Sequence, residues 1–204
     1  MSATDLINRL HRTRGSLADP ALSQKAIFVL GCQRSGTTLL YMLLTSHPAI
    51  SGKDESEVHT GYPLDQELQK ISEGNYLCYK IPTRTGEFET FKQGYPQANF
   101  VWIIRNPYAT ISSMKSLSFD DGSHWLETSG IQEIETLSEI FPTLKKLNIK
   151  KLNPAQIGAY IWKYKAKAYE KYRTQFQVKF IRYEDLLLQT QFSLSPLLES
   201  LKLP

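Results

Sequence analysis

Short continuous apolar runs alternate with amphipathic stretches along most of the chain. Ala26–Leu30 (AIFVL) is such a run and leads into a glycine, a pattern that suits a strand covered on both faces. Tyr76–Ile81 (YLCYKI), Asn99–Arg105 (NFVWIIR) and Val178–Tyr183 (VKFIRY) read as three further strands. Between them, Thr37–Ser46 carries Leu39, Leu40, Met42, Leu43 and Leu44 at helical positions and is stopped by His47-Pro48. A second helix is predicted after Asn106, with Pro107 in its first turn. Ala155–Arg173 reads as a long helix and Leu194–Leu201 as a last one. Thr4–Arg14 also has helical spacing and is broken by Asp19-Pro20, so residues 1–24 read as an N-terminal helical extension. Ser51–Gly74 and Asp120–Gly130 read as long irregular segments, where function tends to sit on such scaffolds.

Strands alternating with helices predict an α/β domain, a three-layer αβα arrangement around a mainly parallel sheet of four to five strands. A length of 204 residues fits a single domain spanning 1–204. A hydrophobic fraction of 41%, with aromatics at 11% spread along the chain, excludes disorder. No apolar stretch approaches the roughly 20 residues of a membrane span, so none is expected. Met1–Leu22 lacks the apolar core of a secretory signal, and two cysteines cannot staple a domain of this size. A reducing, cytoplasmic setting is therefore expected, with Cys32 and Cys78 as buried thiols. The net charge of +4 does not by itself point to nucleic acid. Phe141–Arg182 does concentrate eleven Lys and Arg against one acidic residue, Glu170. That segment reads first as a solvated helix face, with a polyanionic partner as the alternative.

The strongest local signal is Gly31-Cys32-Gln33-Arg34-Ser35-Gly36-Thr37-Thr38, which follows a strand and opens a helix. Backbone N–H groups at a helix start form an anion cradle, and glycines let the anion come close. The spacing matches the ATP-binding P-loop except that Thr37 stands where that loop has its lysine. The cation sits three residues earlier, as Arg34. A threonine cannot supply the lysine's charge to the β- and γ-phosphates, so the loop suits a phosphate ester with fewer charges.

The run Arg34-Ser35-Gly36-Thr37-Thr38-Leu39 after a strand resembles the sulfotransferases that use 3′-phosphoadenosine 5′-phosphosulfate. In that family this loop binds the 5′-phosphosulfate. A second family segment resembles Phe100–Pro107, with Ser113 eight residues after Arg105. The resemblance implies that Arg105 and Ser113 hold the nucleotide's 3′-phosphate, chemistry that a strand-end guanidinium and a helix hydroxyl can perform. The match is closest to tyrosylprotein sulfotransferases and their bacterial relatives. It is carried further by His47-Pro48, Cys78–Lys80, Tyr95–Phe100, Ser113-Met114 and Arg182–Leu186, and it covers about Ile27 to Pro204. The family usually continues past a segment like Leu197–Pro204 into a stretch that closes over the nucleotide. The resemblance thus implies a site left open there, or covered by a neighbouring chain or by further residues.

The implied reaction moves a sulfuryl group from that donor to a hydroxyl, releasing the 3′,5′-bisphosphate. Such a step needs a base for the acceptor's proton and positive charge on the leaving phosphate oxygen. Arg34 and Lys80 would supply the charge, and no metal is expected. The cofactor-binding set is then Arg34, Ser35, Gly36, Thr37, Thr38, Arg105, Ser113 and, by resemblance, Tyr183. In the tyrosylprotein branch the base is a glutamate 21 residues beyond the loop arginine, which counts to Glu55. Glu57 and then His59 are the alternatives. The histidine base of small-molecule sulfotransferases is absent, because Lys80 is followed by Ile81-Pro82. A nucleotide kinase with a degenerate loop and a non-catalytic module binding nucleotide or a polyanion are the competing functions. The expected acceptor is a hydroxyl of open class, no nucleic-acid partner is expected, and homo-oligomerisation is left open.

Overall fold

A computed structural model describes residues 20–58 and 64–203, and the 1–24 extension lies almost wholly outside them. Five strands form the sheet: β1 (Ala26–Gly31), β2 (Ile50–Asp54), β3 (Tyr76–Lys80), β4 (Asn99–Ile104) and β5 (Gln177–Arg182). All neighbouring pairs are parallel and the order is β2-β3-β1-β4-β5. The helices, in chain order, are α1 (Pro20–Ser23), α2 (Thr37–Thr45), α3 (Leu64–Gln69), α4 (Phe88–Gly94), α5 (Pro107–Lys115), α6 (Ser129–Ile140), α7 (Pro154–Arg173), α8 (Tyr183–Leu188) and α9 (Thr190–Ser200).

The central strand β1 is buried along its whole length, which is why its sequence is continuously apolar rather than alternating. Its side chains split between two cores. Ala26, Phe28 and Leu30 join Tyr79, Phe100, Trp102, Phe91 and Tyr172 on one face. Ile27 and Val29 join Leu40, Leu44, Val101, Ile103, Leu186 and Leu197 on the other. Aromatic rings dominate the first face, where Phe100 lies 5.3 Å from Phe28 and 4.4 Å from Phe176 between ring centres. A third cluster beyond the sheet packs Met114, Trp125, Ile134, Leu137, Ile157 and Ile161 between α5, α6 and α7.

The αβα expectation and the strand count hold. Three departures have physical causes. Ser51–Gly74, read as irregular, contains β2 and α3. As an edge strand β2 buries only Ile50, and Ser51–Asp54 carry no apolar pattern to read. Asp120–Gly130 is irregular up to Thr128, apart from the short turn Trp125–Glu127, but a helix not expected from sequence, α6, follows, and its Ile134 and Leu137 face the third cluster. The helices α4 and α8 are not expected from the sequence; α4 buries Phe88 and Phe91, and α8 buries Leu186. Strand ends otherwise differ from expectation by a residue.

Cys32 and Cys78 are free and buried, as expected. Burial pushes the Cys32 thiol up to about 12, which leaves it unreactive at neutral pH. Among the described residues no helix is long and apolar enough to cross a membrane.

Truncating Phe100, fully buried, should cost about 3–5 kcal/mol. Truncating Phe180 on the edge strand, 44% exposed, should cost less than about 1 kcal/mol. Urea unfolding of Phe100→Ala and Phe180→Ala checks the contrast.

Candidate active site

Two turns at the carboxyl edge of the sheet, one after β1 and one after β4, meet across the position where the strand order reverses. Open parallel sheets take their ligands there. The first turn is Cys32–Gly36. Arg34 holds φ at 65° and Gly36 at 96°, both left-handed, so the chain folds back before α2 begins at Thr37. Ser35 is fully buried, with its hydroxyl 2.5 Å from the Cys32 carbonyl and its backbone N–H donating to the same oxygen at 3.2 Å. Its side chain thus shapes the loop from inside. Thr37 is buried and Thr38 exposed, and both lie in the first turn of α2, where backbone N–H groups have no partner within the helix.

The second turn follows from a strong cap. Asn106 Oδ1 accepts from the Tyr108 and Ala109 N–H groups at 3.0 and 3.2 Å, and Pro107 opens α5. Arg105, just before this cap, lies across the gap to the first turn. Its Nη1 donates to the Arg34 carbonyl at 3.2 Å, and its guanidinium stacks over the Tyr183 ring at 4.5 Å. The Trp162 indole donates to the Arg105 carbonyl at 3.0 Å. Ser113, two turns into α5, accepts from Arg34 Nε at 3.0 Å. Arg34, Arg105, Ser113 and Tyr183, four of the residues singled out from sequence, are therefore in one group. Arg105 Nε is buried and has no hydrogen-bond partner among the described residues. A buried guanidinium nitrogen without an acceptor beside a second arginine fits an anionic group.

Gly36 belongs to the same group for a steric reason. A Cβ there would lie 2.2 Å from Tyr183 Cδ2, so only glycine lets the ring that supports Arg105 close against the loop.

Lys80 and Glu55 form the other side of the crevice. Lys80 ends β3, is 8% exposed and pairs in register with Asp54 at the end of β2. Its Nζ is 3.8 Å from Glu55 Oε1 and 4.0 Å from Asp54 Oδ2. Glu55 also accepts from the Thr83 hydroxyl at 3.1 Å. Glu57 turns elsewhere, pairing with Lys53 at 3.1 Å and accepting from the Asp54 N–H at 3.2 Å. His59 lies outside the described residues. A hydrogen bond from Ser56 holds the Asp54 carboxyl below its ordinary value, and Lys80 reinforces this. Among the described residues no group of three or more His, Cys, Asp or Glu side chains could hold a metal ion.

His47 and several aromatic residues have structural places. His47 Nδ1 accepts from the Ala49 N–H at 3.1 Å, closing the turn after α2. Trp125 packs in the third cluster, as do Tyr160, Trp162 and Tyr164, while Tyr169 lies against the aromatic core. Within the basic segment, Lys165 is buried, at 1% exposure. Sequence reasoning missed Thr83, Trp162 and Glu184 as supports of the site. Glu184 Oε1 accepts from the Asn106 N–H at 2.9 Å, a contact between residues 78 apart that no local pattern signals.

The family model described as "Sulfotransferase family" matches residues 26–73 and 61–204, two overlapping segments that cover most of the chain. The chain belongs to the sulfotransferase family. Among curated relatives, protein-tyrosine sulfotransferase 1 of Danio rerio is 25% identical over 151 residues, covering 54% of this chain and 42% of that protein. This sulfotransferase-family chain thus spans less than half of that relative's length. Among solved structures, the sulfotransferase domain from the curacin biosynthetic pathway superposes with a TM-score of 0.60 at 19% identity, over 89% of this chain and 75% of that one. A mouse sulfotransferase complexed with PAP gives 0.55 at 18% identity, over 100% and 66%. At these identities the structural matches speak to the sulfotransferase fold.

Two measurements test the geometry. Gly36→Ala adds the Tyr183 clash to the strain of a left-handed backbone, whereas Gly74→Ala, at φ 78° with nothing nearby, adds strain alone. Gly36→Ala should therefore lose stability by about 1–3 kcal/mol, and more than Gly74→Ala, in matched thermal melts. The second concerns pH. Burial alone would raise the Glu184 carboxyl, but the Asn106 N–H, with Arg182 and Arg105 nearby, holds it below its ordinary 4.5. Its contribution is full above that value and is lost as pH falls through the lower folded-state pKa. Glu184→Gln should flatten the acid limb of the stability profile.

Proposed function

We propose that the chain transfers a sulfuryl group from 3′-phosphoadenosine 5′-phosphosulfate to a hydroxyl acceptor by in-line displacement, releasing the 3′,5′-bisphosphate. One observation carries the reading: Arg34 contacts both Ser113 and Arg105, and a buried Arg105 nitrogen has no acceptor among the described residues, next to the N-terminus of α2. Two phosphate-sized demands are met there. The first turn of α2, with Thr37, Thr38 and the loop shaped by Ser35 and Gly36, suits the 5′-phosphosulfate. Arg105 and Ser113 suit the 3′-phosphate, with Tyr183 supporting Arg105 from below. The mouse sulfotransferase of similar fold was solved with PAP, which supports the same ligand class here.

The acceptor oxygen attacks sulfur from the side opposite the bridging oxygen. Glu55 takes the acceptor's proton as the new oxygen–sulfur bond forms. The sulfur–oxygen bond to the 5′-phosphate then breaks, and its electron pair stays on the phosphate oxygen. Lys80 and Arg34 offset the charge that develops there. Glu55 is favoured as the base over Glu57, because Glu55 lies 3.8 Å from Lys80 whereas Glu57 is tied to Lys53. The kinase alternative is disfavoured by Thr37, which cannot replace the lysine that ATP requires. The chain is read as one domain over 1–204.

Thermal unfolding with adenosine 3′,5′-bisphosphate, beside AMP and ATP·Mg²⁺, tests the donor assignment. At one hundred times Kd the bisphosphate should raise the midpoint by about 5–10 °C and AMP far less. Arg105→Ala should abolish the shift, and a shift with ATP·Mg²⁺ alone would sink the reading. Glu55→Gln should leave bisphosphate binding intact while lowering turnover by about 10²–10⁴-fold.

A further inference from the structure

Lys165 is the least exposed charged side chain among the described residues. It projects from the middle of α7, is 1% exposed, donates to Gln33 Oε1 at 2.6 Å and to the Pro82 carbonyl at 2.5 Å, and forms an ion pair with Glu133, whose Oε2 lies 2.5 Å from its Nζ. Glu133, on α6, is 5% exposed. The circuit closes because Gln33 Nε2 donates to Glu133 Oε1. Residues far apart in sequence thus form a sealed ring with no solvent role and no place in the sulfuryl transfer described above.

Stability does not explain the ring. Removing two charges from water is costly, and apolar residues of similar volume would join α6 to α7 as well or better. Apolar side chains cannot, however, hold a loop amide and a backbone carbonyl at set distances and directions. Those two acceptors are informative. Gln33 is the residue before Arg34, and Pro82 opens the turn that begins two residues after Lys80. The turn Pro82–Gly86 is itself tied to both sides of the crevice. The Thr85 hydroxyl lies 3.1 Å from the Gly31 carbonyl and 2.8 Å from that of Pro82, and the Thr83 hydroxyl donates to Glu55.

We propose that the Gln33–Glu133–Lys165 ring is a positioning device that sets the span between the phosphate loop and the Lys80–Glu55 side of the crevice, a role that rests on the sulfotransferase reading. Arg34 sits in a left-handed backbone one residue from the ring, so a loop released from Gln33 has a less strained conformation to relax into. The same release on the Pro82 side frees the turn carrying Thr83. Loop and base then lose their common frame even though every group that touches substrate is still present.

The test replaces the whole ring by apolar residues, Gln33→Met, Glu133→Leu and Lys165→Met together, so that no buried charge is left alone. The expected result is a thermal midpoint near that of the parent chain, with hydrogen exchange accelerated selectively in 31–38 and 80–86. The affinity for adenosine 3′,5′-bisphosphate should weaken about tenfold, the equilibrium equivalent of one hydrogen bond to a charged group. Parent-like exchange in both segments would overturn the proposal. Gln33→Met alone keeps the Lys165–Glu133 pair and guards against failure of the triple variant to fold. It should accelerate exchange in 31–38 and lower the midpoint, because Lys165 and Glu133 each lose a buried hydrogen-bond partner, and unchanged exchange there would equally overturn the proposal. If the unmodified chain does not bind the bisphosphate, the donor assignment falls, while the exchange comparison still judges the ring.

Discussion

Everything at the crevice depends on how closely β1 and β4 approach at their carboxyl ends. A Cβ on Gly31 would lie 2.3 Å from the Ile103 carbonyl oxygen, a contact that no other residue type could make without moving a strand. That approach lets the chain leave β1 beside β4, and it brings the turn at Cys32–Gly36 against the turn at Arg105. With β3 on the other flank of β1, Lys80 comes to the same edge. The proposed site, drawn from residues 34 to 183, is thereby assembled by strand order and one missing methyl group.

The charges in this space are arranged by purpose and not by number. The formal charge of the whole chain is small, yet Arg34 and Arg105 face the same gap, with a carbonyl, an aromatic ring and a serine as their nearest companions. Opposite them, Lys80 sits among carboxylates. One side of the crevice therefore suits an anion, while the other pairs carboxylates with a cation. That polarity fits the transfer proposed above.

The parts of this arrangement legible in the sequence are those written in contiguous residues. The apolar run of β1 with its glycine-rich turn, the Arg105-Asn106-Pro107 turn and the long helix α7 all carry their physics locally. The strand β2 was illegible because an edge strand with one buried residue has no hydrophobic signature. The amphipathic spacing of Ile131, Ile134 and Leu137 did mark α6, and reading that stretch by period would have found it. The contacts of Glu184 with the Asn106 N–H, of Trp162 with the Arg105 carbonyl and of Thr83 with Glu55 join distant positions. They leave no trace at either residue alone. Counting from Arg34 leads to Glu55, which lies beside Lys80 because β2 and β3 end in register, with Asp54 opposite Lys80.

The left-handed backbone of Arg34 has a consequence for how such a domain ages in evolution. At this position the residue that chemistry asks for and the residue that the backbone prefers are different, since glycine would sit there without strain. Arg34→Gly is a step that relaxes the fold while deleting a charge from the crevice. Once selection for the charge lapses, mutational drift runs downhill toward an inert descendant that keeps its shape. Under the proposed reading, an arginine at that strained position trades stability for a charge at the site.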